Sequence, residues 1–417
     1  MVARYIIFRF LVLLFISAEQ WFLFFFLRNH ILSKSQTWQR VAMAVTFAVM
    51  NLPALVFIFI PDSIARENPP MPLWLKMFYI WQGASLLLVV CLIVIQLARG
   101  LFSIIYNIFL RIRTEMKGAD NFAKELPYSR SRRLFLKTAF VGAATYSFIG
   151  ALDGILLQTR CEMTRRTIKL KNLPSSFEGT TVALISDIHS GMFMPKSEMV
   201  MYAKLLQSLN ADLVLMPGDF VTFRKDEVHP FAEAFQDISA PLGIYGVLGN
   251  HDFYAGADEI TRRVEEIGIK VLRNEHLMLR RNGEAIALLG IDDLGHGDNL
   301  EAAVYGMPDG VVRILMSHKP YNFPEVAQKR VDFTVAGHTH GGQIVFARLG
   351  KIPIAFASLF SYYVAGLYRN QGAQLYVSRG IGTVGLPMRV NCPPEITLFT
   401  FTRDDSLTVK PADGKDS

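Results

Sequence analysis

Acids, amides and histidines form five short groups in the second half of the chain, each directly after an apolar, β-branched run. The groups are Asp187-Ile188-His189, Gly218-Asp219, Gly249-Asn250-His251-Asp252, Ser317-His318 and Gly337-His338-Thr339-His340. Imidazole nitrogens together with carboxylate or amide oxygens suit first-row divalent metals such as Zn, Mn and Fe. The pattern therefore predicts a site for such metal ions.

Two of the groups contain ligand types two residues apart, Asp187 with His189 and His338 with His340. On an extended chain this spacing places both side chains on the same side, so each pair is predicted to direct two ligands to one point. Any single group is weak evidence, because an Asp at a strand end is often a helix cap. The five groups in order are much stronger evidence than any one of them.

Alternating strands and helices are predicted to position these groups. Predicted strands cover residues 181–186, 212–216, 243–248, 285–291, 312–317, 332–336 and 395–402, and predicted helices cover 197–209, 228–238 and 258–267. This alternation is typical of an α/β fold. Ligands of open α/β sheets bind at the carboxyl ends of the strands, so the five groups are predicted to meet at that edge.

The ordered motifs resemble the calcineurin-like metallophosphoesterase superfamily over roughly residues 165–402. The strings Gly337-His338-Thr339-His340-Gly341-Gly342-Gln343-Ile344 and Pro393-Pro394-Glu395-Ile396 resemble a bacterial branch with membrane-associated or exported phosphodiesterases. The resemblance implies a four-layer α/β/β/α sandwich, preceded here by an all-α transmembrane region of about four helices. It also implies two divalent ions, with Mn, Fe and Zn left open.

The resemblance assigns a role to each motif residue. The first metal would be held by Asp187, His189 and His340, and Asp219 would bridge both ions. The second metal would be held by Asn250, His318 and His338. His251 would not bind metal but would stand beside the substrate, stabilise the developing charge and protonate the leaving oxygen. Asp252 would either tune His251 or cap the following helix. Arg379, Arg389 and Tyr362 are further candidates for substrate contacts, with core or surface roles as the alternative.

The basic character of the chain is confined to its first part. Of 417 residues, 51% are hydrophobic and 19% charged, and the net charge is +7. Residues 1–160 contain 17 Lys and Arg against 7 Asp and Glu, whereas the remainder has a net charge of −3. A basic, apolar N-terminal part is typical of membrane segments with basic flanks. The composition therefore excludes a single soluble domain and gives no reason to expect nucleic acid as a partner.

Four apolar stretches, at residues 10–27, 41–60, 73–97 and 134–157, approach the ~20 residues that cross a bilayer as a helix. The loops at 28–40 and 98–133 are rich in Lys and Arg, so the positive-inside rule places them in the cytoplasm. This topology predicts a multi-pass protein of the cytoplasmic membrane, with everything after residue 160 outside. Arg4 and Arg9 at the external N-terminus count against it.

Ser131-Arg132-Arg133-Leu134-Phe135-Leu136-Lys137 resembles the twin-arginine export signal of bacteria, which implies the twin-arginine export machinery as a partner. The alternative is a basic flank of a retained anchor. The predicted organisation is a region of transmembrane helices and basic loops (1–130), a signal or anchor helix (131–160), a metallophosphoesterase domain (161–403) and a polar tail (404–417).

The sequence leaves two points open. Glu19 in the first span is either a functional intramembrane carboxylate or a neutral side chain bonded to a neighbour such as Asn51. Cys161 and Cys392 either pair or remain two thiols.

The leading functional hypothesis is an outward-facing, membrane-anchored phosphodiesterase or phosphatase that acts on lipid or cell-wall phosphoesters. The alternatives are a transporter or sensor with a regulated phosphoesterase output, and a catalytically silent binding module.

Overall fold

The computed structural model describes residues 2–32, 36–57, 70–117, 130–156, 158–350 and 352–404. These residues form two compact units, one built from the N-terminal helices and the other from residue 156 onward. Residues 61–69, between the second and third predicted spans, lie outside the described residues. So do residues 118–129 of the predicted basic loop and nearly all of the predicted polar tail.

The N-terminal unit consists of helices α1 (Val2–Phe26), α2 (Thr37–Phe57), α3 (Leu73–Lys117) and α4 (Arg130–Leu156), with a π-helical turn (Leu27–Ile31) after α1. Within the described residues, three segments are long and apolar enough to cross a membrane, namely Phe10–Asn29, Leu73–Ile112 and Thr138–Leu156. They correspond to the first, third and fourth predicted spans. The second predicted span forms α2, and its last residues, 58–60, lie outside the described residues.

Helix α3 corrects the predicted boundary between the third span and the loop that follows it. The loop was predicted to begin at residue 98, but α3 extends to Lys117 and is 45 residues long in total. Arg99 does not end a helix, a single Gly100 costs only about 1 kcal/mol, and the residues after it are again apolar. At 1.5 Å per residue the helix is roughly 67 Å long. Part of the basic charge assigned to the loop therefore lies on a helix.

A buried polar network joins α1, α2 and α3. The amide oxygen of Gln20 accepts hydrogen bonds from Asn51 Nδ2 (3.2 Å) and Trp81 Nε1 (3.0 Å). Gln82 Nε2 donates to Asn51 Oδ1 (2.9 Å). Asn51 is thus bonded to Gln20 and Gln82 and not to Glu19, whose Oε1 is buried without a hydrogen-bond partner. Because hydrogen bonds between membrane helices align them, the network fixes how these three helices pack.

The second unit contains two six-stranded sheets. In spatial order the first consists of β1 (Glu162–Leu170), β14 (Glu395–Arg403), β2 (Thr181–Leu184), β3 (Leu213–Pro217), β4 (Ile244–Val247) and β5 (Lys270–Val271). The second consists of β12 (Gly366–Asn370), β13 (Ala373–Val377), β9 (Phe333–Ala336), β8 (Arg313–Met316), β7 (Glu284–Gly290) and β6 (Glu275–Arg281). A separate hairpin is formed by β10 (Val345–Leu349) and β11 (Ile352–Ala355).

Helices cover the outer faces of both sheets, which gives four layers. Helices α5 (Lys196–Gln207), α6 (Val228–Phe235), α7 (Asn250–Ala255) and α8 (Ala257–Glu265) belong to the first half, and α9 (Leu300–Val304) and α10 (Phe323–Gln328) to the second. One buried cluster between the sheets contains residues of both, such as Leu215 and Ile314. Separate clusters fill the space under each helical layer. The predicted α/β/β/α sandwich is confirmed, and every strand and helix predicted between residues 181 and 402 forms.

All three cysteines are free thiols. Cys392 is buried, and its Sγ lies 3.3 Å from the carbonyl oxygens of His340 and Gly341. It therefore packs under the loop that carries His340 and does not pair with Cys161.

Candidate metal centre

The five motif groups converge at one edge of the second unit. They follow β2, β3 and β4 of the first sheet and β8 and β9 of the second. Neighbouring strands of each set run parallel, so their carboxyl ends meet at the same edge. The five groups therefore share one edge, as predicted, but this edge is formed by two sheets and not by one.

The backbone at this edge is left-handed at five of the motif residues. Asp187, His189, Asp219, His338 and His340 all have φ between 50° and 69°. This conformation is uncommon for residues other than glycine and is concentrated at functional sites. The pair at 187 and 189 thus converges because the chain turns at each member, whereas His338 and His340 direct their rings to two different groups of ligand atoms. The predicted reason, alternation along an extended chain, is wrong.

The first group of facing ligand atoms comes from Asp187, His189 and His340, all within 4.8 Å of one another. The Nε2 atoms of the two histidines are 3.1 Å apart. The Nδ1 of His340 faces the carbonyl oxygen of Gly382 at 3.3 Å, and with the ring proton on Nδ1 it donates to this oxygen and Nε2 presents a lone pair. Two nitrogens at this distance are suited to share a cation.

Asp187 is held in place from both sides. Its Oδ2 accepts from Ser186 Oγ (2.6 Å) and its Oδ1 from the backbone N–H of His338 (2.8 Å). Burial raises the pKa of Asp187 to about 6. A Cβ at Gly337 would lie 2.3 Å from Asp187 Oδ2, so only glycine allows the two strand ends to approach so closely.

The second group contains Asp219, His318 and His338, whose ligand atoms also lie within 4.8 Å. His318 Nδ1 donates to the carbonyl oxygen of Pro217 (2.8 Å), which leaves Nε2 as the ligand atom. That Nε2 lies 3.1 Å from Asp219 Oδ2, and His189 Nε2 lies 3.3 Å from the same oxygen. Asp219 Oδ2 is therefore placed between the two groups.

The electrostatics of the site favour bound cations. Burial lowers the pKa of His338 to about 3, so its imidazole is neutral and can bind metal. Burial opposes a charge on His318 as well, but the adjacent Asp219 carboxylate outweighs it and raises the pKa of His318 to about 10. A proton on His318 here balances the charge of Asp219, a role that a metal ion can take over.

A buried polar atom without a hydrogen-bond partner tests independently whether the site suits a metal ion. Asn250 Oδ1 is buried and makes no hydrogen bond, whereas His318 Nε2 is paired with the Asp219 carboxylate at 3.1 Å. Buried polar atoms are almost always hydrogen-bonded, so such exceptions point to a missing partner. The nitrogen and oxygen donors of the two groups fit first-row divalent ions, without separating Mn, Fe and Zn.

His251 lies beside both groups. Its ring is edge-on to that of His189, with the centroids 4.7 Å apart. Its Nδ1 donates to the carbonyl oxygen of Thr222, and its backbone N–H donates to Asp219 Oδ1 (2.9 Å). A ligand atom of His251 also lies within 4.8 Å of those of His189 and Asp219. The structure thus brings all eight predicted site residues to one edge.

Asp252 acts as a cap. It accepts hydrogen bonds from the backbone N–H groups of Gly249 (2.8 Å), Asp219 (2.8 Å) and Val221 (3.2 Å). These bonds close the first turn of α7 and tie it to the loop that carries Asp219. Of the two roles considered from the sequence, the helix cap is the one observed.

Two buried residues support the site in ways that motif spacing does not indicate. Glu227 Oε2 accepts from the backbone N–H groups of three consecutive residues, 222–224, and so shapes the loop that supplies the Thr222 carbonyl. Arg389 donates to the carbonyl oxygens of Gly382 and Cys392 and supports the loop of His340. Of the two roles considered for Arg389 from the sequence, substrate contact and a place in the core, the structure shows the core role.

The other candidate contacts have different positions. Arg379 forms salt bridges with Glu395 (2.9 Å) and Glu162 (2.8 Å), so these two carboxylates at the sheet edge balance its charge. Tyr362 is exposed.

Comparison with known proteins identifies the second unit. Residues 180–342 match the family model described as calcineurin-like phosphoesterase. They form a calcineurin-like phosphoesterase domain. The match begins at β2 and ends in the loop of His338 and His340, so it contains all five motif groups of the phosphoesterase domain.

Three relatives share this domain. A Danio rerio protein named transmembrane protein with metallophosphoesterase domain is 32% identical over 55% of this chain and 55% of its own length. A Bos taurus protein of the same name is 28% identical over 64% of this chain and 63% of its own. The Bacillus subtilis (strain 168) uncharacterized metallophosphoesterase YkuE is 29% identical over 65% and 97%. The chain thus aligns with little more than half of the two transmembrane relatives.

Proposed function

We propose that the phosphoesterase domain hydrolyses phosphoesters with two divalent ions. The position of Asp219 Oδ2, 3.1 Å and 3.3 Å from ring nitrogens of the two ligand groups, is the observation that carries this proposal. Asp187, His189 and His340 would hold one ion, Asn250, His318 and His338 the other, and Asp219 both. When bound, such a pair lowers the pKa of water and neutralises the phosphoryl charge.

The residues of the chain have separate tasks in this proposal. Asn250 contributes a neutral oxygen, so the site gains a ligand without a charge that would repel an anionic phosphate. His251 faces the ligand groups with its Nδ1 held by the Thr222 carbonyl, which leaves Nε2 to protonate the leaving oxygen. A catalytically silent binding module is the weaker candidate, because no ligand of either group is missing.

Metal depletion tests the proposed reaction. The chain stripped by a chelator is expected to lose hydrolysis of nitrophenyl phosphoesters and of phospholipid head groups, and to regain both when Mn²⁺, Fe²⁺ or Zn²⁺ is added back. Elemental analysis is expected to find two ions per reactivated chain. Full hydrolysis by chains without bound metal would contradict the proposal.

We further propose that the domain lies outside the cytoplasmic membrane of a bacterial cell, held by the N-terminal helices, and acts on lipid or cell-wall phosphoesters. The basic residues of the first 160 support this orientation, as does the motif at residues 131–137. In this proposal the organisation is that predicted from the sequence, with helices and basic loops to 130, a signal or anchor helix to 160 and the phosphoesterase domain to 403.

A charge-conserving substitution separates twin-arginine export from a simple basic flank. In spheroplasts, added protease is expected to digest the domain of the unchanged chain but not that of the Arg132→Lys, Arg133→Lys double variant. The positive-inside signal is preserved in this variant, so only a requirement for arginine can explain a difference. The matched control is Arg111→Lys with Arg113→Lys, which should leave the domain accessible. Protection of the unchanged chain would reject the outward orientation.

A further inference from the structure

A patch of large apolar side chains covers the β10–β11 hairpin and the turn after it. Its members are all exposed: Leu349, Ile352, Ile354, Phe356, Leu359, Phe360 and Tyr362. We call these residues the hairpin patch. Leu359, Phe360 and Tyr362 are 76%, 82% and 78% exposed. Single exposed apolar residues are ordinary, but a contiguous group of this kind marks a surface that contacts something apolar.

The strand pattern shows that the exposure is built into the hairpin. Along β11 the side chains of Pro353 and Ala355 are buried, whereas Ile352 and Ile354 are exposed. A strand with one face in water normally alternates apolar and polar residues, but this strand is apolar on both faces. Ile352 pairs with Leu349 on β10, so the outward apolar face continues across the hairpin.

The segment of sequence that contains the hairpin patch has basic residues but no acidic ones. From residue 333 to residue 394 the chain contains no Asp or Glu. The same 62 residues contain five basic residues, Arg348, Lys351, Arg369, Arg379 and Arg389. Arg348 and Arg369 are exposed, whereas Arg379 is paired with Glu395 and Glu162 and Arg389 is buried. Exposed aromatic and aliphatic side chains combined with Lys and Arg are typical of segments that lie in the interface of an anionic bilayer.

The hairpin is joined directly to the loop of the metal centre. A Cβ at Gly342 would lie 2.6 Å from the Cβ of Ala355, so β11 is in close contact with the end of this loop. Thr339, between the ligands His338 and His340, donates from Oγ1 to the carbonyl oxygen of Val364 (2.6 Å). Whatever binds the hairpin patch is therefore held next to the phosphoesterase site.

We propose that the hairpin patch docks on the surface of an anionic phospholipid bilayer. The chain itself brings a bilayer within reach, because it carries candidate spans and because only five residues separate α4, which ends at Leu156, from β1, which begins at Glu162. This proposal goes beyond hydrolysis, since it assigns the surface that would bring membrane-embedded phosphoesters to the site. A second copy of the chain is the competing occupant.

Photolabelling from the bilayer tests the docking without requiring catalysis. The full chain is reconstituted in nanodiscs of phosphatidylcholine and phosphatidylglycerol that contain a trace of phosphatidylcholine with a diazirine in its acyl chain. After irradiation, mass spectrometry of the peptides is expected to find label in residues 349–362 as well as in the spans. Because labelling does not depend on turnover, failure of the proposed hydrolysis would leave this result unaffected.

Variants and lipid composition sharpen the test. Leu359→Ser combined with Phe360→Ser is expected to lower the label in residues 349–362 at least about tenfold, because the loss of even one buried large apolar side chain is worth about that factor. The matched control is Tyr305→Ser, which removes an isolated aromatic that is 84% exposed and should change nothing. Omission of phosphatidylglycerol is expected to weaken the labelling, and equal labelling without it would overturn the anionic preference.

Labelled spans together with unlabelled residues 349–362 would overturn the proposal. Cross-links between residues 349–362 of two chains, with no lipid label there, would overturn it in favour of a dimer contact.

Discussion

Asp219→Asn is expected to lower kcat for phosphoester hydrolysis by at least about 10³-fold, which corresponds to a loss on the order of 4 kcal/mol of transition-state stabilisation. Asp219 Oδ2 is the atom placed between His189 Nε2 at 3.3 Å and His318 Nε2 at 3.1 Å. An amide nitrogen at that position cannot bind a cation, and the neutral side chain no longer balances two positive ions.

The fold should survive this change. Asp219 Oδ1 accepts from the backbone N–H of His251, and the amide oxygen of asparagine can accept the same bond. The thermal unfolding midpoint and the metal content should therefore be measured beside kcat, with an unchanged midpoint and fewer than two ions per chain expected. Asp258→Asn makes the same chemical change on a side chain that is 96% exposed and should leave all three quantities unaltered. Full activity in Asp219→Asn with two ions bound would contradict the bridging role.

His251→Ala is expected to slow hydrolysis of alkyl phosphoesters by about 10²–10⁴-fold and that of nitrophenyl phosphoesters far less. An alkoxide leaving group needs a proton in the transition state, whereas nitrophenolate leaves readily without one. The structure supports this role because the Thr222 carbonyl holds Nδ1 and leaves Nε2 as the only ring atom that can transfer a proton.

The two substrates should be compared as kcat/KM in the same metal-loaded preparation. His276→Ala is a matched control, since the Nδ1 of His276 also faces a backbone carbonyl, that of Ala303 (2.8 Å), but on β6. It should leave the ratio between the substrates unchanged. Equal losses on both substrates in His251→Ala would remove the proton-donor role and leave only a positioning role.

The types and order of the site residues could be predicted from the sequence alone. Buried strands can be recognised in the sequence as short β-branched runs. The polar residues that follow them stand out because such residues seldom follow a core strand unless they cap a helix or bind a ligand. The carboxyl ends of parallel strands in one sheet must meet at one edge, so the convergence of Asp187 and Asp219 followed from local pattern and topology. The convergence of His318 with them depended on how the two sheets pack. Apolar length alone likewise predicted the candidate spans.

The conformation of the site required the tertiary structure. The left-handed backbone at Asp187 and His340 persists only because packing and hydrogen bonds from distant segments hold it, among them the bond from the His338 N–H to Asp187. The spacing of residues in the sequence does not reveal such long-range contacts. For the same reason the extended-chain explanation of the paired ligands was wrong, and His338 and His340 lie in different ligand groups.

The role of Asp252 and the length of α3 also depended on the tertiary structure and not on residue type alone. A carboxylate next to a histidine can tune the ring or cap a helix, and the choice depended on backbone N–H groups 31 to 33 residues away, at Val221 and Asp219. The end of α3 was misplaced because basic residues were read as a loop, whereas helix continuation depends on backbone hydrogen bonds that arginine does not interrupt. Residue type and order are local properties and can be read directly. Side-chain direction and backbone strain arise from contacts between distant segments, which only the folded chain contains.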